Sequence, residues 1–137
     1  YDVALLDCPP NISMLSENVF AFADAILVPV IPSTLSRRSF EQLLAFFDKQ
    51  NLPSQKVYGF FSMVQNIKSL HNIMITEMRE TLGQRMLRSQ IPCASDVERM
   101  GIHRAPVIAT APRSPASDAY LSLCEEAMHL VFDKTPA

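Results

Sequence analysis

Glycine is scarce in this sequence: Gly59, Gly83 and Gly101 are the 3 glycines among 137 residues, and none stands in a run. A phosphate-cradling loop of the form G-x-x-x-x-G-K-[ST] needs glycines that let backbone N–H groups close on an anion, together with a lysine. Neither that loop nor its variant with an added early lysine is present. Cysteine is equally rare, and Cys8, Cys93 and Cys124 are odd in number, far apart and without a C-x-x-C pair. That excludes a disulfide framework, gives no zinc signature and suits a reducing compartment. No apolar run approaches the ~20 residues of a membrane span. Charge of one sign is also lacking, because 12 basic and 14 acidic residues leave -2. Any attraction to nucleic acid therefore has to come from a local basic patch.

Apolar residues make up 48% and charged residues 19% of the chain, a composition that buries a core and argues against disorder. At this length the chain is one domain's worth or less. Its first ten residues, Tyr-Asp-Val-Ala-Leu-Leu-Asp-Cys-Pro-Pro, organise the rest of the chain. Val3 to Leu6 shows no polar alternation and reads as a central strand covered on both faces. Pro9 and Pro10 stop it, which places Asp7 at the strand's carboxyl end, where open α/β sheets bind their ligands.

The remaining chain alternates. A helical stripe spans Ser13 to Asp24, and a continuous apolar run, Ala25 to Ile31, is closed by Pro32. Ser33 or Thr34 caps a helix that carries Phe40, Leu43, Leu44, Phe46 and Phe47 and ends near Asn51 and Pro53. Val57 to Val64 reads as a strand and Gln65 to Ser69 as a polar loop. Leu70 to Leu82 is a helix with Ile73, Ile75, Met78 and Leu82 as its apolar positions, stopped by Gly83. A strand from Met86 to Ile91 ends at Pro92, and Ser95 or Asp96 starts a short helix to about Gly101. Ala105 to Pro115, rich in proline, reads as a loop, and Ala116 to Phe132 as a long amphipathic helix. Alternating strands and helices call for a mainly parallel sheet with helices on both faces, an α/β fold.

Several short motifs, in order, resemble those of one family. They are Asp-Cys-Pro-Pro at 7 to 10, Val-Pro-Val-Ile-Pro-Ser-Thr-Leu-Ser at 28 to 36, Phe-Ser-Met-Val at 61 to 64, Ile-Pro at 91 and 92, and Arg-Ala-Pro-Val followed by Pro-Arg-Ser-Pro-Ala. Together they are similar to the carboxyl-terminal half of the ParA/MinD group of deviant P-loop ATPases, with Asp-Cys-Pro-Pro as the Walker B segment. The resemblance implies a P-loop NTPase-like sheet and makes residues 1 to 137 the carboxyl-terminal portion of a single ParA-like ATPase domain. The start at Tyr1 in place of Met fits a chain that begins within a longer protein.

The same resemblance implies ATP and Mg²⁺ as cofactors of the complete protein, with Asp7 supporting the metal through water. It assigns the nucleotide base to the loops after two strands: Ser62, Met63 and the Gln65-Asn66 pair after one, and Ile91 and Pro92 after the other. Asn66 offers an amide for an adenine edge and Met63 a soft surface for the ring, although Met63 also fits ordinary core filling. Gln65 stands where relatives commonly carry an acidic residue or Asn. The P-loop and the aspartate that orients the attacking water lie upstream in the family, so no catalytic residue is expected in this chain, and by itself it should neither bind nor hydrolyse ATP. The P-loop strand would neighbour Val3 to Leu6, so that stretch is expected to form an exposed edge or to pair with another copy.

A ParA-like protein implies a homodimer switched by ATP, a cytoplasmic location, a ParB-like or other activating partner, and DNA bound without sequence preference. Arg37, Arg38, Lys68 and Arg104 are the DNA-binding candidates, although a solvated helix face also explains the Arg37-Arg38 pair. Too few basic and apolar residues follow Phe132 for a membrane-anchoring tail. Two other readings are compatible with parts of the pattern. One is an ATP-dependent synthetase resembling cobyrinic acid a,c-diamide synthase, disfavoured because Cys93 has no glycine-rich nucleophile turn. The other is a non-catalytic, oligomeric interaction module.

Overall fold

The computed structural model describes residues 2–8 and 14–132. Three strands, β1 (Ile26–Val30), β2 (Val57–Val64) and β3 (Met86–Pro92), form one parallel sheet in the order β1-β2-β3. Helix α1 (Met14–Phe22) precedes β1, and α2 (Thr34–Lys49) and α3 (Ser69–Leu82) are the crossovers between successive strands. Three one-turn helices follow β3, namely α4 (Ser95–Glu98), α5 (Met100–His103) and α6 (Val107–Thr110), before the long α7 (Pro115–Phe132). This is the expected α/β architecture, consistent with a P-loop NTPase-like fold.

Strand β2 shows why both faces are covered. Val57 and Phe61 are buried in one cluster with Phe40 and Phe47 of α2 and Ile75 and Met78 of α3. Tyr58 and Phe60, at the alternate positions, pack instead against Leu87 and Ile91 of β3 and Leu123 of α7. A period of two along one strand thus feeds two cores. Gly59 permits the first to close, because a Cβ there would sit 2.7 Å from Met86 Sδ and 3.2 Å from Phe40 Cζ.

Local chemistry sets the helix limits. Ser33 caps α2 by accepting the Ser36 N–H at 3.2 Å. The helix ends where Asn51 turns left-handed (φ 54) and the Leu52 N–H returns to the Phe47 carbonyl at 2.9 Å. Gly83, at φ 55, donates its N–H to the Arg79 carbonyl and ends α3. Lys56 is buried and donates to the Ala21 and Ala23 carbonyls at 3.1 and 2.9 Å, which ties the carboxyl end of α1 to the start of β2.

Four expectations need correction. Val3 to Leu6 is not a covered central strand: residues 2–8 carry no regular structure, and Leu5 is 90% and Leu6 62% exposed. A strand needs a ladder partner for its backbone groups, and the neighbour implied by the resemblance, the strand leading into a P-loop, is not among these residues. In α3 the inward stripe is His71, Met74, Ile75 and Met78, while Ile73 is 51% exposed. Between Ser95 and His103 there are two one-turn helices in place of one. The stretch from Ala105 to Pro115 contains α6, because Pro106 stands just before that helix and Pro115 opens α7, positions where a missing N–H costs nothing.

Candidate functional site

The carboxyl ends of β2 and β3 lie side by side. Val64 is paired with Pro92, and the Cys93 N–H donates to the Val64 carbonyl at 2.9 Å. Pairing therefore brings Ser62, Met63 and Asn66 to the same end of the sheet as Ile91 and Pro92. The register slips on the way: Phe61 faces Gln90 and Val64 faces Pro92, so three steps along β2 match two along β3. The extra residue is accommodated at Met63, which takes φ 55 and leaves its side chain 50% exposed. A bulge of this kind re-aims one side chain out of the sheet, and a left-handed non-glycine residue costs roughly 1 kcal/mol. Ser62 is half-buried, whereas Ile91 is fully committed to the core under α7 and offers the site only its backbone.

Beyond Val64 the chain makes a tight turn. Its backbone is held by the Gln65 N–H donating to His71 Nδ1 at 3.2 Å and by Asn72 Nδ2 donating to the Asn66 carbonyl at 3.1 Å. Asn66 is exposed at the turn's tip, and Ile67 beside it is wholly exposed. The turn thus exposes the apolar side chains of Met63 and Ile67 and the side-chain amide of Asn66, which makes no hydrogen bond among the described residues. Sequence reasoning misses the roles of His71 and Asn72. The available signal is the spacing of His71 with Met74, Ile75 and Met78, which puts a polar ring on an apolar stripe.

Asp7 is exposed in the irregular segment and is not joined to the sheet. Among the described residues no three His, Cys, Asp or Glu side chains cluster as metal ligands. Mg²⁺, which keeps several waters and takes one or two carboxylates, does not require such a cluster.

The basic candidates differ in their surroundings. Arg37 is tied down: its Nε meets Glu41 at 2.9 Å and its Nη1 meets Glu77 of α3 at 3.0 Å. The hydrogen bond that Arg37 donates to Glu41 above all, with that carboxylate's charge and then that of Glu77, pushes the guanidinium pKa up from its already high value. Arg38 is exposed beside it, along a shallow groove of about 430 Å³ between α2 and α3 that Leu35, Met74 and Glu77 also line. Lys68 is exposed at the start of α3, and Arg104, also exposed, ends α5 in a left-handed conformation (φ 48). No helix among the described residues is long and apolar enough to cross a membrane.

A parallel α/β sheet with its turns gathered at the carboxyl ends of β2 and β3 is consistent with the P-loop NTPase-like class. Comparison with known proteins narrows this. A family model described as an AAA domain matches residues 1–57. The chain is 29% identical over 137 residues to a ParA family protein of Chlamydia muridarum, covering 97% of this chain and 53% of that protein. It is 25% identical over 130 residues to the sporulation initiation inhibitor protein Soj of Bacillus subtilis (92% and 51% covered). It is 26% identical over 132 residues to the chromosome-partitioning ATPase Soj of Thermus thermophilus (93% and 53% covered). The chain is thus similar along more than nine-tenths of its length to proteins named as ParA family and chromosome-partitioning proteins. The chain spans about half the length of the curated relatives it matches.

Proposed function

We propose that this chain is the carboxyl-terminal portion of a ParA-like ATPase domain that partitions DNA or positions cellular cargo in the cytoplasm. The observation that carries the reading is similarity along more than nine-tenths of the chain to proteins named ParA and chromosome-partitioning ATPase. The pairing of Val64 with Pro92 supports it, because it sets the two loops side by side. In this reading a nucleotide base lies at the turn after β2, with Asn66 at its edge, Met63 at its face and the Ile91-Pro92 backbone beside it. Ser62 closes the strand side of that turn. The phosphates and their Mg²⁺ belong near Asp7, where the metal would supply charge neutralisation at the transferred phosphoryl group.

In the complete protein ATP favours a homodimer that holds DNA through exposed cations such as Arg38, Lys68 and Arg104, and a ParB-like activator returns it to the free state. The catalytic groups lie outside these residues, since the sequence holds no phosphate-cradling loop. Calorimetry with ATP and Mg²⁺, paired with intact mass, tests the reading. Full-length protein should bind ATP only with Mg²⁺, and the isolated chain should not bind it. A full-length protein that sediments as a folded oligomer and ignores nucleotide would instead be an interaction module.

A further inference from the structure

The turn after β2 is anchored at two consecutive residues, and both anchors come from neighbouring positions of α3. His71 Nδ1 accepts the Gln65 N–H and Asn72 Nδ2 donates to the Asn66 carbonyl. The Lys68 N–H closes the turn on the Gln65 carbonyl at 2.9 Å. His71 is only 7% exposed and shares the inward stripe of α3 with three apolar side chains. Were packing its task, leucine would serve better there. Instead one ring nitrogen satisfies a backbone N–H that would otherwise be orphaned, and as an acceptor Nδ1 carries no hydrogen. The turn's backbone is thereby engaged, while the side-chain amide of Asn66 makes no hydrogen bond among the described residues and points to solvent.

We propose that His71 and Asn72 are positioning residues that hold the backbone carrying the Asn66 amide, so that the amide reads adenine in preference to guanine, an inference that rests on the base-site reading of the turn. One amide presents an acceptor and a donor side by side. Adenine offers the complementary pair, the N6 donor beside the N7 acceptor, whereas guanine offers two acceptors, O6 and N7. On this N7 edge the mismatch with guanine persists whichever way the amide is turned. Against the Watson–Crick edge, where guanine sets an N1–H donor beside O6, it persists only while the amide keeps one orientation. Selectivity of this kind requires a backbone that does not shift, and the two anchors supply that rigidity.

Two substitutions at position 71 separate this role from packing. Asparagine places Oδ1 where histidine carries Nδ1, and leucine fills the space with no acceptor. In the full-length protein with Mg²⁺, H71L should speed hydrogen exchange at the Gln65 amide about ten-fold or more and lower the ratio of ATP to GTP affinity by about five-fold or more. H71N should keep both near wild type, and N72A should lower the affinity ratio without exposing Gln65. If H71L discriminates ATP from GTP as well as wild type, or H71N fails to rescue what H71L loses, His71 is a core residue and the inference falls alone. If wild-type protein binds ATP and GTP equally, or neither, the base-site reading falls and the inference with it.

Discussion

Glu126 reaches from α7 to accept the backbone N–H of Ser89 in β3 at 3.1 Å. Its second oxygen takes the preceding N–H, that of Arg88, at 2.8 Å. Two successive strand amides turn to one carboxylate because β3 bulges there: Gly59 faces Met86 and Phe61 faces Gln90, so two steps of β2 span four of β3. The bulge would strand both donors, and a single side chain of the covering helix satisfies them. Hydrogen bonds to a charged acceptor contribute about 1.5–3 kcal/mol. E126A should therefore lower unfolding stability by about 2–3 kcal/mol, and E126Q, which keeps one acceptor oxygen, by about 1 kcal/mol. Urea unfolding of the two variants checks the order, and equal losses would mean that Glu126 acts through packing alone.

Lys56 performs a comparable task at the start of β2. Its ammonium is buried and donates to the Ala21 and Ala23 carbonyls, groups that the end of α1 leaves without helical partners. The positive charge also sits favourably at a helix carboxyl terminus. K56M keeps the stem and removes the donors, so both carbonyls lose a partner at about 1–3 kcal/mol. The expected result is a lowered Tm together with early loss of amide protection at Val19 to Ala23. Protection lost uniformly across the chain would contradict a local clamp.

Alternation of apolar runs and helical stripes makes three strands, the two long crossovers and the final helix legible in the amino-acid sequence. Those signals arise from burial against neighbours in the same chain. Val3 to Leu6 carries the same apolar signal yet remains exposed, because composition reports what a segment could bury and cannot supply the strand that would pair with it. Ile73 is misassigned for a related reason: the apolar stripe of α3 includes a histidine, and a reading by hydropathy steps over it to the next apolar residue. The Met63 bulge and the Glu126 contact depend on register between strands, which periodicity within one strand does not encode. In the candidate site, Ser62, Met63, Asn66, Ile91 and Pro92 are reached through resemblance. Their closeness follows from the pairing of Val64 with Pro92.

Two glycines separate steric from conformational need. Gly83 combines φ 55 with ψ -126, a mirror-image extended backbone that residues with a Cβ scarcely adopt. Its would-be Cβ meets open space, so G83A incurs backbone strain alone, about 1–3 kcal/mol. Gly59 lacks room: its Cβ would press on Met86 Sδ, the far part of a flexible side chain packed in the core. Overpacking of this kind costs about 1–3 kcal/mol, and the Met86 side chain can yield part of it. The double variant G59A/M86A should therefore lose less stability than the sum of the two single changes, whereas strict additivity would show that the two sites do not touch.

Arg37 and Arg38 are adjacent in sequence and opposite in availability, which turns the DNA-surface proposal into a measurable contrast. Arg37 is held by carboxylates on both α2 and α3, and a phosphate would have to displace them. Arg38 is exposed, with no ion pair to break among the described residues. Each phosphate contact contributes roughly 0.9 to the slope of log affinity against log salt on duplex DNA. In full-length, ATP-bound protein, R38A should lower affinity for DNA of any sequence and flatten that slope by about 1. R37A should leave the slope unchanged, its effect confined to the coupling of the two helices. The reverse result, a slope that responds to Arg37 and ignores Arg38, would mean that the two salt bridges open on binding and that the contact surface runs along the α2–α3 groove.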